Sequence, residues 1–244
     1  MTKIYELHNH ILIDSDTVKP YAHQHKASHI IISLDREITL HSGDIEYRSR
    51  GFLIPSGVQH NIETNNNKIL VFLYDNTTNV SKKIRKIASI NALDLSVIRK
   101  LYSDFEKYNS IENYKIFENY ILNHIGISTS DKNIYDERIS KAIEYIKLNI
   151  SEKLLCRDIA NKVYLSESRF SHLFKKQIGM TFSSYIIYQR IIRVYTAIIQ
   201  GKSITEAAIN AGFYSSSHFA DVNHRIFGLS ATDITKNMIF KKII

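Results

Sequence analysis

The feature that most constrains this chain is a repeat within its last hundred residues. Asp158-Ile159-Ala160, followed by Val163 and Leu165, matches Glu206-Ala207-Ala208, followed by Ala211 and Phe213, at an offset of 48. Beyond the turn the offset becomes 49, so Ser166 pairs with Ser215, Phe170 with Phe219, Leu173 with Val222 and Gly179 with Gly228. Two copies of a pattern imply two copies of one folded unit. Each copy reads as a short helix carrying a small alanine, a tight turn, a serine cap and a second amphipathic helix. The alanine lets two helices approach closely. The serine hydroxyl accepts from free N–H groups at the start of the second helix. Each copy is therefore a helix-turn-helix.

Between the copies, Thr181 to about Gln200 reads as one helix, about 30 Å long at 1.5 Å per residue. Neighbouring turns of the major groove lie about 34 Å apart along B-DNA. A rod of that length can place both second helices in successive grooves on one DNA face. The charge is distributed to match. Residues 1–135 hold 16 Lys/Arg against 15 Asp/Glu, whereas residues 136–244 hold 16 against 9. Nearly all of the net +8 lies in the second stretch, which suits a polyanionic partner.

The first part of the chain follows another pattern. Residues 1 to about 76 read as β. His29–Leu34, Ile38–His41, Gly51–Ile54 and Ile69–Tyr74 are β-branched or aromatic runs, separated by Ser42-Gly43-Asp44, Pro55-Ser56-Gly57 and Thr64–Lys68. Short strands at this spacing suggest a small barrel or sandwich. Residues 80–126 read as helix. Leu95, Ile98, Leu101, Tyr102 and Phe105, then Tyr114, Phe117, Ile121 and Ile125, give two apolar stripes broken at Asn109-Ser110. This αα-hairpin packs either on the barrel or on a second subunit; the second alternative makes the chain a homodimer joined through residues 94–125. Residues 128–134, a polar run followed by Ile134, read as a linker, after which everything reads as helix.

Composition excludes other classes. With 44% hydrophobic and 23% charged residues and two prolines, the chain is globular rather than disordered or fibrous. One cysteine, Cys156, excludes a disulfide framework and a cysteine-based zinc module. Met1–Asp16 has no apolar run of signal-peptide length and no stretch approaches 18 apolar residues, which points to the cytoplasm.

Residues from about 137 to 235 resemble the C-terminal domain of the AraC family of bacterial transcription regulators. The resemblance is carried by Ile159-Ala160, the run Phe170-Ser171-His172-Leu173-Phe174-Lys175-Lys176, Gly179, Tyr185 and Arg190-Ile191. It continues in Ser203-Ile204-Thr205-Glu206-Ala207-Ala208, Ala211-Gly212-Phe213, Ser217-His218-Phe219 and Phe227-Gly228. Four departures stand out. Tyr164 replaces a turn glycine, which suggests a different turn geometry. Asn223 replaces a core aromatic, Ala231 and Ile234 replace a proline and a tyrosine, and Asp221 is acidic where a neutral or basic residue is common.

The resemblance and helix geometry together select contacts to double-stranded DNA. Ser168, Arg169, Ser171 and His172 suit base edges, and Lys175 and Lys176 suit phosphates. In the second copy Ser216, Ser217, His218 and Ala220 take the equivalent face, with His224 and Arg225 on the phosphate side. Ile159, Phe170, Leu173, Phe174, Phe213, Phe219 and Phe227 read as core, and Cys156 as a small buried hydrophobe.

Seven of the eleven histidines lie at or before residue 60. His23-Gln24-His25, His29, Gly51 and Pro55-Ser56-Gly57-Val58-Gln59-His60 resemble the two halves of a cupin motif, a domain that AraC regulators often use to sense an effector. The resemblance implies an effector pocket at His23, His25, His29 and His60, with His29 in the place of a carboxylate. Four imidazoles can hold a divalent transition metal. The alternatives are a pocket for an organic effector and an inherited scaffold.

The expected architecture is α+β in two domains: a cupin-like barrel over residues 1–80 with a helical hairpin over 81–127, then an all-α double helix-turn-helix domain over 136–244. The expected function is transcription regulation, as an activator that engages RNA polymerase. A metal-dependent cupin enzyme and a constitutive architectural DNA binder are the competing readings, and a methylation-repair protein of this family would need several cysteines.

Overall fold

The computed structural model describes residues 2–7, 10–16, 23–24, 27–91, 94–128, 135–227, 238–241 and 243. They form two compact units. One is built on the N-terminal half of the chain, and the other runs from Asn133 to Arg225.

In the first unit the order is β1 (Thr2–Glu6), β2 (His10–Ser15), β3 (His23–Gln24), β4 (Ser28–Ser33), β5 (Ile38–Ser42), β6 (Ile45–Ser49), β7 (Gly51–Ile54), β8 (Gln59–Glu63) and β9 (Ile69–Tyr74). Then come α1 (Asn79–Lys83), β10 (Ala88–Ser89), α2 (Leu95–Tyr108) and α3 (Ile111–His124). Turn chemistry sets the connections between strands. Asn65 and Asn66 take positive φ of 50° and 62°, a conformation asparagine tolerates. Gly51 lets β7 lie close to its neighbours: a Cβ there would sit 2.7 Å from the Ile31 carbonyl oxygen.

One sheet runs β10-β7-β4-β9-β2-β1 and ends in a further strand, β11 (Met238–Lys241); the other runs β3-β8-β5-β6. All pairings are antiparallel except β1 with β11, which is parallel with Thr2 opposite Met238. The expectation that everything after the linker is helical, in one domain reaching residue 244, is corrected here. Without β11, β1 would be an open edge with unpaired backbone groups. The short run Met-Ile-Phe-Lys at the far end of the chain closes it.

The hairpin breaks where Asn109-Ser110 suggested. Asn109 ends α2 at φ 48° and Ser110 caps α3. Ile98, Tyr102, Phe105, Tyr114, Phe117 and Ile121 share one core with Tyr5, Leu12, Ile30 and Phe72. The stripe therefore covers the sheet of its own chain, whose apolar face needs a second layer. Phe105 is fully buried and Leu101 half-buried, so the stripe is not free to hold a partner, as the dimer alternative required.

The second unit is helical: α4 (Glu137–Leu148), α5 (Cys156–Lys162), α6 (Glu167–Ile178), α7 (Phe182–Ile199), α8 (Ile204–Asn210) and α9 (Ser216–Phe227). Of the expected linker, residues 129–134 lie outside the described residues.

Candidate nucleic-acid interface

The two repeats fold into matching units. In the first, Tyr164 N–H donates to the Asn161 carbonyl (3.1 Å) and Leu165 N–H to the Ala160 carbonyl (3.0 Å). In the second, Gly212 N–H donates to Ile209 (2.9 Å) and Phe213 N–H to Ala208 (3.0 Å). Every partner is shifted by 48, the offset in the sequence. The caps match as well. Ser166 Oγ accepts from Arg169 N–H at 3.3 Å, and Ser215 Oγ accepts from His218 N–H at 3.0 Å. Each cap satisfies an N–H group at the start of a second helix, α6 or α9.

Tyr164 does not change the turn geometry, contrary to expectation. It adopts the left-handed conformation at φ 57°, the region glycine favours. Its ring stands 95% exposed, and Tyr214, in the other turn, is 91% exposed. These two tyrosines flank the starts of both second helices. Sequence reading missed them as surface features, because aromatic residues in a helical domain default to core.

On α6, Ser168, Arg169, His172, Lys175 and Lys176 are exposed. Ser171 is not free as expected; it is half-buried, with its hydroxyl 3.1 Å from Cys156 Sγ on α5. Cys156 is packed against the core as a small hydrophobe, but half-buried rather than fully so, and bonded to Ser171. On α9, Ser217, His218, His224 and Arg225 are exposed, while Ser216 and Ala220 are half-buried. The His218 ring meets Phe213 edge-on at 5.6 Å. Asp221 is exposed among them. Of the expected core, Ile159, Phe170, Phe174, Phe213 and Phe219 are buried, and Leu173 is partly buried against the first unit's core. Gly228, Ala231, Ile234 and the Phe227 side chain lie outside the described residues. Asn223 is fully buried and accepts from Tyr195 Oη at 2.7 Å, which satisfies a polar group in an aromatic position.

The connecting helix α7 spans about 27 Å for its 18 residues. From its middle, Arg190 reaches three carbonyls: Nε to Ile150 (3.1 Å), Nη1 to Gly212 (2.8 Å) and Nη2 to Glu152 (2.7 Å).

In the N-terminal unit, His29 and His60 meet as expected. Both are buried, with their Nε2 atoms 3.2 Å apart. Their Nδ1 atoms lie 3.3 Å from the Ala27 carbonyl and 2.9 Å from the Val58 carbonyl. His23 pairs with His60 in the β3–β8 register. His25 lies outside the described residues, among which no three metal-type ligands converge.

Two polar clusters went unforeseen, because they join separate strands and helices far apart in the chain. Tyr74 Oη donates to Glu118 at 2.8 Å, and His10 Nε2 bonds Tyr114 Oη and lies 3.5 Å from Glu118. Burial pushes the Glu118 carboxyl up to about 6 and holds His10 down at about 3. Nearby, buried Asp14 accepts from Tyr102 Oη at 2.5 Å and pairs with Lys68 at 3.2 Å and Lys3 at 3.6 Å.

Residues 159–237 match a family model described as a helix-turn-helix domain. The regulatory protein PocR of Salmonella typhimurium is 36% identical over 89 residues, spanning 36% of this chain and 29% of that protein. The probable transcriptional regulator LumQ of Photobacterium leiognathi is 24% identical over 231 residues, 89% of this chain and 92% of LumQ. Among solved structures, an apo ToxT variant from Vibrio cholerae superimposes with a TM-score of 0.67 at 14% identity, covering 94% of this chain and 98% of that one. Wild-type ToxT bound to an unsaturated fatty acid gives 0.61 at 15% identity, covering 93% and 95%. The fold is that of ToxT: an N-terminal β domain and a helical helix-turn-helix domain. Matched turns, capped second helices and the family match define a helix-turn-helix domain like those of these transcription regulators. Residues 159–237 are thus a helix-turn-helix domain, in line with the resemblance to the AraC type drawn from the sequence.

Proposed function

We propose that the chain is a sequence-specific activator whose two second helices, α6 and α9, read adjacent major-groove elements of one duplex. The observation that carries this reading is the duplicated turn, with two matching backbone hydrogen bonds and a serine cap in each copy. It presents Arg169 and His172 on one helix, and Ser217 and His218 on the other, as exposed groups able to bond base edges. Lys175, Lys176, His224 and Arg225 hold phosphates, and an activator bound this way engages RNA polymerase. Selection of duplexes from a random pool by the full chain tests the reading: it expects one consensus with two elements about one helical turn apart. Enrichment without any consensus overturns it and favours an architectural binder.

The N-terminal domain supplies the control. The His29–His60 pair favours a pocket that takes a cation. Each Nδ1 lies beside a backbone carbonyl, and in the tautomer that puts both protons there the two Nε2 atoms, 3.2 Å apart, suit a shared transition metal. His23 lies opposite His60 in the β3–β8 register. The fatty acid bound by ToxT makes an organic effector the competing occupant. Dimerisation, with the stripe committed to the core, uses the hairpin's outward side, where Tyr108, Ile111 and Ile116 are exposed.

A further inference from the structure

Among the described residues, the core of the first helix-turn-helix unit includes none of the second's side chains. The first draws on the start of α7, with Phe182, Tyr185 and Ile186 packed among residues of α4, α5 and α6. The second draws on the other end, where Tyr195 meets Phe219 at 6.4 Å. A single helix is then the hydrophobic link between them, and two units on one rod can rock about it. Arg190 sits at the midpoint. Its guanidinium bonds Ile150 and Glu152, in the segment between α4 and α5 of the first unit, and Gly212, in the turn of the second. Any rocking that moves one unit against the other breaks at least one of these bonds.

The chemistry suits that role. Guanidinium is planar with donors in a fixed fork, so three carbonyls held at once define an angle as well as a distance. The joint is closely fitted. Gly212 has φ +88°, and a Cβ there would lie 2.9 Å from both Arg190 Cζ and the Ser151 carbonyl oxygen. The second turn therefore has glycine where the first has Tyr164: at this position the turn must admit the arginine.

We propose that Arg190 is a positioning residue that locks the angle between the two units and so sets the spacing of the two DNA elements the chain accepts. The spacing part rests on the DNA reading above; the locking part does not.

Two measurements on the full chain separate them. In the first, spin labels are placed at Lys176 and Asp221, both exposed, in a Cys156→Ser background, and their distance distribution is recorded without DNA. Arg190→Gln should broaden it. A distribution as narrow as that of the parent overturns the lock. In the second, the probe is the duplex enriched from a random pool by the unaltered chain, with and without one extra base pair between its two elements. The unaltered chain should lose about tenfold or more on insertion, as for a disrupted site, and Arg190→Gln less than about threefold. Both should bind a duplex with only the α6 element intact within about twofold of each other. Equal losses on single- and double-element duplexes, or an unchanged insertion penalty, overturn the spacing role. Failure to enrich any duplex overturns the DNA reading while the label distances still judge the lock. Arg190→Lys keeps the charge but not the fork and should behave like Arg190→Gln. If Arg190→Gln does not fold, Gly212→Ala disturbs the same joint from the other side and carries both measurements.

Discussion

The two helix-turn-helix units share a backbone but not an interior. At the position 49 residues apart, the first has Phe174, packed edge-on to Phe182 and Tyr185 at 6.0 and 5.5 Å. The second has Asn223, fully buried and bonded to Tyr195. Their surfaces differ too: α6 shows Arg169, Lys175 and Lys176, whereas α9 shows Arg225 and Asp221. The turn and cap hydrogen bonds are enough to repeat the shape, while what fills it is free to vary. The first unit is the better packed and more basic half, so it is the expected anchor on DNA and the second the adjustable half.

The sharpest way to break this comparison is through the cores. Phe174→Ala removes a buried aromatic and should cost about 3–5 kcal/mol. Asn223→Ala removes one acceptor from a buried hydroxyl and should cost about 1–3 kcal/mol. Calorimetry on the full chain reads both; a larger loss for Asn223→Ala would make the polar pair, not the aromatic cluster, the tighter interior.

A second effect lies outside both units and should leave their difference untouched. Glu118 has its folded pKa raised from 4.5 to about 6 by burial. Its contribution to stability is thus fully present below about 4.5 and lost as pH rises through about 6. Glu118→Gln should therefore stabilise the N-terminal unit at pH 8 by up to about 2 kcal/mol, with the gain gone by about pH 4.5. His10, held down by burial, acts in the opposite direction and is present in both proteins. Melting curves across that window check the sign, and a gain independent of pH would show that Glu118 titrates alike in the folded and unfolded chain.

The charge difference gives a smaller, graded effect. Replacing Lys175 and Lys176 with glutamine should lower the slope of log affinity against log salt by about 2, and replacing Arg225 alone by about 1. Asp221→Asn should tighten binding slightly by removing a repulsion. If Arg225 mattered more than both lysines together, the second unit would be the anchor.

Local and distant signals fared differently in the sequence. The strands Ser28–Ser33, Gly51–Ile54 and Ile69–Tyr74, the break at Asn109-Ser110 and the serine caps are written within a few residues of where they act, and they were legible. The missed features join distant positions: Met238–Lys241 on Thr2–Glu6, His10 on Glu118, and Arg190 on Ile150 and Gly212. Periodicity carries no information about such pairings. Of the interface, the exposed positions of α6 and α9 followed from helix phase. Ser171 did not, because its partner Cys156 is set by how α5 crosses α6.

The smallest expected effect concerns the two turns themselves. Tyr164 holds φ 57°, a conformation that costs a non-glycine residue roughly 1–2 kcal/mol. Tyr164→Gly relieves that strain but adds chain entropy to the unfolded state, worth about 0.5–1 kcal/mol. The balance should be a gain of at most about 1 kcal/mol. The converse change, Gly212→Tyr, meets Arg190 Cζ and the Ser151 carbonyl and should cost clearly more than Tyr164→Gly gains. If stability alone governed the first turn, glycine would be the better residue there. The tyrosine is 95% exposed, so it buries nothing in exchange for its strain. Its worth must then appear in binding, where the ring lies beside the start of α6 and its hydroxyl can reach a phosphate. Tyr164→Gly should thus melt higher yet bind its selected duplex more weakly, by a few-fold. A variant that gains stability and keeps full affinity would show that Tyr164 has no part in holding DNA.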